Sequence, residues 1–299
     1  MVYTITFNPA LDYVMKLDTF SVGEINRSYG ENMFAGGKGI NVSIVLKELG
    51  VESTALGFVA GFSGEEIERQ LAEKGITCDF VKLEKGYSRI NVKLSHGAET
   101  DVNTTGPYVD EKHLRMFFEK LDNLTQEDVV VIAGSLPSGV QNNVYKSIAK
   151  LLKEKKIKFI VDTTGDKLLS TLEYEPFLIK PNLEELRELF DDFEEENLTD
   201  YMKKLQNMGA KNILVSMGGK GSALLDETGS INVLEAVDGK VVNTVGAGDS
   251  MVAGFLAGYI KTKDLKYAHT LGSAAGSATA FSEGLADGKN IFLLLEKNS

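Results

Sequence analysis

Residues 243–250 read N-T-V-G-A-G-D-S and lie between a strand-like segment, residues 240–242, and an apolar run that reaches residue 259. Small residues at 246–248 let backbone amides approach an anion closely, where a helix N-terminus adds partial positive charge. A carboxylate in that turn would compete with a bound anion. The position of Asp249 is explained if it accepts a proton from an attacking hydroxyl. An aspartate that only caps a helix remains the structural alternative.

The segment T-V-G-A-G-D-S at 244–250 resembles the second signature of the phosphofructokinase-B, or ribokinase-like, sugar-kinase family. The resemblance implies that Asp249 is the catalytic base and that Gly246, Ala247 and Gly248 form the anion hole. It also implies that ATP is the phosphoryl donor and that Mg²⁺ is the cofactor.

Outward from this segment, apolar β-branched runs alternate with helical patterns, as in βαβ units with a largely parallel sheet. Strands are predicted at residues 3–7, 54–58, 129–132, 158–162, 177–180 and 212–216. Helices are predicted at residues 41–49, 65–74, 143–154, 184–189 and 201–208. We therefore predict an α/β fold, an α/β/α sandwich with a mostly parallel central sheet.

Two segments break the alternation, at about residues 11–34 and 87–105. Apolar and polar residues alternate in the second, which is typical of antiparallel strands with one solvated face. We expect both segments to form a small β-sheet lid outside the main sheet. With no repeat or linker-like composition, residues 1–299 are predicted to be one kinase domain that carries this lid.

A glycine-rich turn, G-G-K-G-I-N at 36–41, precedes a helical pattern. It lacks the P-loop spacing, and no G-x-G-x-x-G fingerprint follows the first strand, which disfavours P-loop and dinucleotide enzymes. A plain strand-to-helix turn is the alternative. The turn is similar to the family's first signature, which implies that Gly37 and Asn41 bind sugar hydroxyls. The N-P-A-L-D segment at 8–12 resembles the opening of family members that phosphorylate sugar phosphates, and this implies the same role for Asp12.

A phosphorylated sugar needs cations that a neutral sugar does not. The candidates are Lys38 in the glycine-rich turn, and Arg27 and Arg89 in the lid segments, where closure would bring them onto the phosphate. Solvated surface arginines are the alternative. Together with residues 99–107, E-T-D-V-N-T-T-G-P, these positions resemble both 1-phosphofructokinases and tagatose-6-phosphate kinases, and residues 23–27 favour the former. The resemblance therefore implies phosphorylation of fructose 1-phosphate at O6, with tagatose 6-phosphate or fructose 6-phosphate as alternative substrates.

Three further segments resemble family motifs. The G-S-L-P loop at 134–137 implies that Ser135 lies near the sugar and phosphoryl groups. The K-P-N-L-E-E segment at 180–185 implies that Asn182 and Glu185 hold Mg²⁺, partly through water, although the same pair fits a capping box. Less distinctive segments assign Ser216, Gly218 and Ser277, together with Gly248, to the nucleotide.

Composition limits the partners of the 299-residue chain. A net charge of -11 opposes binding to nucleic acid or anionic membranes. Cys78 is the only cysteine and the three histidines are widely separated, so a disulfide within the chain is impossible and a cysteine or histidine metal site is not expected.

Without a leader pattern or a long apolar run, we expect a cytoplasmic protein. An open-edged lid predicts a homodimer through the lids. A catalytically silent sugar or nucleotide sensor remains the alternative from another class.

Overall fold

The computed structural model describes residues 1–96 and 99–297, so residues 97 and 98 of the second lid segment and the last two residues of the predicted domain lie outside it. The strands of its main sheet are β1 Val2–Thr6, β4 Ser53–Ala60, β5 Thr77–Cys78, β6 Val81–Leu83, β9 Val129–Ala133, β10 Lys158–Asp162, β11 Leu178–Ile179, β12 Asn212–Ser216, β13 Ser222–Leu225 and β14 Ile231–Leu234. They are ordered β14-β13-β12-β11-β10-β9-β1-β4-β5, and β6 also pairs with β4. Pairing is parallel except at β12-β13-β14.

Helices cover both faces of the main sheet. They are α1 Lys38–Glu48, α2 Gly61–Glu73, α3 Glu111–Asp122, α4 Val144–Glu154, α5 Gly165–Leu172, α6 Leu183–Leu189, α7 Leu198–Asn207, α8 Ala247–Thr262, α9 Leu265–Ala280 and α10 Gly288–Lys297. Side chains of α3 to α7 pack on one face, and those of α1, α8, α9 and α10 pack on the other. Strand β9 shows why, since Val130 and Ile132 enter the first core while Val131 and Ala133 enter the second. A strand covered on both faces has few places for a polar residue, which explains its continuous apolar sequence.

A second sheet is separate from the first and has four strands, β2 Ala10–Lys16, β3 Gly30–Gly36, β7 Arg89–Ser95 and β8 Glu99–Val102. Their order in the sheet is β3-β2-β7-β8. Alternate residues of β7 face opposite sides. Arg89, Asn91 and Lys93 line the cleft beneath the sheet, so Ile90 and Val92 face away from it.

The predicted α/β/α sandwich with a β-sheet lid is confirmed, and each of the eleven predicted elements overlaps an observed one. Two details of the prediction were wrong. Residues 240–242 form no strand, because Val242 and Asn243 donate to the carbonyl of Ala280 at the end of α9 instead of pairing in a sheet. The lid is also not wholly antiparallel. Strands β2 and β7 belong to different hairpins and pair in parallel, because the chain returns to the main sheet between them.

Candidate active site

A cleft of about 1570 Å³ lies where the carboxyl ends of the parallel strands meet the lid and the first turns of α1 and α8. Ligands of open α/β sheets bind at this edge because the loops that follow the strands converge there. Of the sixteen sequence-predicted site residues, fifteen line the cleft. The exception is Arg27, which is exposed in the loop between β2 and β3. This loop follows Lys16, the last residue of β2, and contact between Arg27 and a substrate stays a prediction.

Asp249 lies in the first turn of α8 and is only 6% exposed. Its Oδ2 accepts a hydrogen bond of 2.7 Å from the side-chain amide of Asn41. Burial, and then the charge of Asp162, raises the pKa of Asp249 to about 6, although Lys38, Asn41 and Lys180 act in the opposite direction. A carboxylate with this pKa is ionised at neutral pH and still basic enough to accept a proton in a reaction.

The turn before Asp249 is shaped for an anion. Gly246 caps α8 with a left-handed φ of 79°, and a Cβ on it would lie 2.6 Å from Leu285. The amide of Ala247 donates to the carbonyl of Thr244 within the turn, at 3.2 Å. Within the described residues, this leaves the amides of Gly246 and Gly248 for an anion, next to the positive end of the helix.

Three charged residues at the base of the cleft form a group that sequence analysis missed in part. Asp162, at the end of β10, is 1% exposed and lies 3.3 Å from Lys38 Nζ and 3.5 Å from Lys180 Nζ. Lys180 is itself buried, at 5% exposed. The segment K-P-N was recognised from the sequence, but its lysine received no role. Asp162 closes an ordinary apolar strand, and no local pattern connects it with lysines 124 positions before and 18 positions after it.

The inner face of the lid carries two of the predicted substrate-binding residues, Asp12 and Arg89. Asn91 donates a 2.8 Å hydrogen bond to Asp12 Oδ1, which leaves the other carboxylate oxygen beside Gly36. A Cβ at Gly36 would lie 2.6 Å from Asp12 Oδ2, so only glycine lets β3 pass so close. Arg89 is fixed through its Nε, which donates to the carbonyl of Asn8 at 2.9 Å. Asn91 was not predicted from the sequence, and neither was Lys93, whose ammonium pairs with Asp101 at 3.0 Å on the same face.

Asn182 and Glu185 form a complete capping box at the start of α6. Asn182 Oδ1 accepts from the amide of Glu185 at 2.8 Å, and Glu185 Oε2 accepts from the amide of Asn182 at 2.9 Å. Both residues also line the cleft. The second oxygen of Glu185 is not used by the box, so the helix-capping and metal-binding interpretations are compatible. Amide and carboxylate oxygens are the donors that Mg²⁺ prefers, and the site fits that ion.

The remaining predicted residues, Ser135, Ser216, Gly218 and Ser277, also line the cleft. Ser135 follows Gly134, where an added Cβ would lie 3.9 Å from Cβ of Lys38. A loop that was not predicted from the sequence lines the cleft as well, through Val237 and Gly239 near Phe281. A Cβ at Gly239 would lie 2.3 Å from the Phe281 ring, so the loop packs directly on that ring.

A buried carboxylate beside a glycine-rich helix N-terminus is an arrangement suited to transferring a phosphoryl group to a hydroxyl, and a lidded α/β/α sandwich is the fold in which ribokinase-like sugar kinases do this. Residues 5–290 match the pfkB family of carbohydrate kinases, and the chain belongs to that family. Over the described residues, no helix is both long and apolar enough to cross a membrane.

Individual relatives agree with this assignment. The 1-phosphofructokinase of Bacillus subtilis is 45% identical over 287 residues, which are 95% of this chain and 94% of the relative. The D-tagatose-1-phosphate kinase of Bacillus licheniformis is 38% identical, over 96% of this chain and 95% of its own length. A crystal structure of Escherichia coli phosphofructokinase-2 with substrates and products superposes with a TM-score of 0.94 at 26% identity, covering 99% of both chains.

Proposed function

We propose that the protein transfers the γ-phosphoryl group of ATP to O6 of fructose 1-phosphate, giving fructose 1,6-bisphosphate and ADP. The observation that carries this proposal is the position of Asp249, a buried carboxylate whose pKa is raised to about 6, in the first turn of a helix with unoccupied amides. The similarity to the 1-phosphofructokinase of Bacillus subtilis supports the choice of acceptor.

In the proposed reaction, Asp249 accepts the proton of the C6 hydroxyl as its oxygen forms a bond to the γ-phosphorus. The bond from that phosphorus to the bridging oxygen of ADP breaks, and the electron pair leaves with ADP. The amides of Gly246 and Gly248 bind the oxygens of the transferring group, where charge is greatest in the transition state. Lys180 supports this position, because its Nζ lies 3.0 Å from where a Cβ of Gly248 would be.

The acceptor is positioned by the lid and by α1. Asp12, held by Asn91, accepts hydrogen bonds from sugar hydroxyls, and Gly37 lets the backbone of the α1 turn approach the ring. Arg89 and Lys38 bind the phosphate already present, and Arg27 joins them on closure. Such charge-assisted contacts distinguish a sugar phosphate from a neutral sugar, and they offset the repulsion from a net charge of -11.

Asn182 and Glu185 are proposed to hold Mg²⁺ with the ATP phosphates, partly through water. When bound, the ion neutralises charge on the β- and γ-phosphates. Ser216, Gly218 and Ser277 are proposed to contact the nucleotide. Ser135 contributes on the acceptor side.

The acceptor is tested by initial rates of ADP production with Mg-ATP and a panel of fructose 1-phosphate, tagatose 1-phosphate, tagatose 6-phosphate, fructose 6-phosphate, fructose and ribose. We expect the highest kcat/KM with fructose 1-phosphate. Tagatose 1-phosphate is included because one relative bears its name, and a preference for it would change the substrate but leave the base and cations in place. Turnover of neutral sugars alone would contradict the roles of Lys38, Arg27 and Arg89. No turnover with any acceptor would favour the sensor.

We also propose that each chain is one kinase domain and that two chains form a homodimer through their lids. We propose that this dimer is cytoplasmic. Strands β3 and β8 each have a single partner among the described residues, so both lid edges are open. Met33 and Val102, which are 40% and 55% exposed, lie on the face turned away from the cleft. Open edges and an exposed apolar face are features that a second subunit can cover.

A further inference from the structure

Asp162 is the most buried charged group at the base of the cleft, at 1% exposed. One of its oxygens, Oδ1, serves both ammonium groups, at 3.3 Å from Lys38 and 3.5 Å from Lys180. The two lysines come from different elements, since Lys38 begins α1 and Lys180 follows β11. A single carboxylate therefore fixes two long side chains that would otherwise have many rotamers.

The other oxygen of Asp162, Oδ2, is buried without a hydrogen-bond partner among the described residues. Burial alone would raise the pKa of Asp162, but the charges of Lys180 and Lys38 lower it, so the group is ionised. A buried carboxylate with an unpartnered oxygen costs stability relative to an apolar residue of similar size. This charge is therefore better explained by a role in the site than by a gain in stability.

Both lysines also interact electrostatically with a second carboxylate, that of Asp249. Lys38 interacts first with Asp162 and then with Asp249 and Glu185, and Lys180 also acts on Asp249. An ammonium group that paired with Asp249 would neutralise the base and remove a cation from the phosphate. Asp162 prevents this by being the nearer partner of both. Lys180 then remains beside Gly248 in the anion-binding turn.

We propose that Asp162 is a positioning residue, which holds Lys180 against the transferring phosphoryl group and Lys38 against the phosphate of the acceptor, and keeps both from pairing with Asp249. This inference rests on the proposed function, because it assigns Asp249 as the base. Asp162 does not touch the reacting atoms and acts through the lysines and through its charge.

The pH dependence of kcat separates this role from a purely structural one. The groups that act on Asp249 are Asp162 on β10, Lys38 on α1 and Lys180 after β11, together with the amide of Asn41. Wild-type kcat should fall below about pH 6, as Asp249 becomes protonated. Removing the charge of Asp162 removes a contribution that raises this pKa, so the acid limb should move to lower pH. Removing Lys180 should move it to higher pH.

The experiment compares Asp162→Asn, Lys180→Met and the control Asp128→Asn on the full chain with the best acceptor. Asp128 is also a largely buried, ion-paired aspartate, but it lies just before β9 and binds the N-terminal amine at the opposite edge of the sheet, at 3.0 Å. We expect Asp162→Asn to lower kcat about 100-fold, as for a misplaced catalytic group, and to shift the acid limb to lower pH. Asp128→Asn should leave the limb at the wild-type pH.

An acid limb of Asp162→Asn at the wild-type pH, or a kcat within twofold of wild type, would overturn the inference. If Asp162→Asn does not fold, Asp162→Asn/Lys180→Met replaces it, because this pair removes a buried charge of each sign. The acid limb of kcat for this double variant should also lie at a lower pH than that of wild type, since Asp162 acts on the pKa of Asp249 more strongly than Lys180 does. A wild-type protein that phosphorylates none of the acceptors would instead refute the proposed function.

Discussion

The side-chain amide of Asn41 donates a 2.7 Å hydrogen bond to Oδ2 of Asp249, joining residues that are 208 positions apart. The bond connects the first turn of α1 with the first turn of α8, and it orients the carboxylate. It occupies one lone pair of Oδ2, so the carboxylate keeps lone pairs that can accept a proton from a substrate. The two glycine-rich motifs of the sequence therefore form one site.

Asp249→Asn should lower kcat by about 10²- to 10⁴-fold, because the amide cannot accept the proton. The KM for each substrate should change little, since asparagine can still accept the hydrogen bond from Asn41. Initial rates with Mg-ATP and the best acceptor measure both. A kcat within tenfold of wild type would show that Asp249 is not the base.

The same substitution should stabilise the protein at neutral pH. Because the folded state raises the pKa of Asp249 from 3.8 to about 6, it binds the proton more tightly than the unfolded chain. The associated stability is present below about pH 4 and is lost as pH rises to 6. Above pH 6, Asp249→Asn should therefore exceed wild type by up to about 3 kcal/mol in free energy of unfolding. Urea denaturation at pH 4 and pH 8 tests this, and a difference that does not grow with pH would contradict it.

Arg89→Gln should lower kcat/KM for a sugar phosphate by about 10- to 100-fold, the value of one charge-assisted hydrogen bond. The rate with unphosphorylated fructose should not fall, because that sugar has no phosphate to bind. Arg115→Gln is the matched control, since Arg115 is exposed on α3 outside the cleft. An equal loss of kcat/KM with the sugar phosphate and with fructose would mean that Arg89 supports the lid through Asn8 and does not bind the phosphate.

Glu185→Gln should separate the two roles of the capping box. Glutamine can still accept from the amide of Asn182, so the melting temperature should stay close to that of wild type, while the Mg²⁺ concentration for half-maximal rate should rise. Asp264→Ala is the opposite control, because Asp264 caps α9. It should lose about 1 kcal/mol of stability with no change in Mg²⁺ dependence. An unchanged Mg²⁺ requirement in Glu185→Gln would leave only the capping role.

Met33→Asp/Val102→Asp should convert a dimer into a monomer, because it places two charges on the apolar face of the lid. Both side chains are exposed, so folding should be preserved. Leu293→Asp on α10 is the control, with a side chain that is 47% exposed away from the lid. Sedimentation at micromolar concentration measures the mass. A wild-type monomer, or a double variant that remains dimeric, would refute pairing through the lids.

The sequence alone was enough to predict the layers of the fold, because each parallel strand is a short apolar run and the apolar residues of each helix recur at the helical period. It was also enough to predict the two glycine-rich turns and Asp249, since turns that need left-handed or close-packed backbone restrict the residues locally. Residues 240–242 show the limit of this reasoning. Their pattern suits a strand, but the end of α9 supplies the hydrogen-bond acceptor instead.

Only the tertiary structure decided which charges meet. Asp162 lies within 3.5 Å of two lysines that are distant from it in sequence, and Asn91 rather than a neighbour of Asp12 holds that carboxylate. Arg27 lies outside the cleft, although the sequence placed it in a lid segment as it did Arg89. Secondary structure is set by residues a few positions apart. A charged site depends on which strand ends and helix turns the topology brings to the same edge of the sheet.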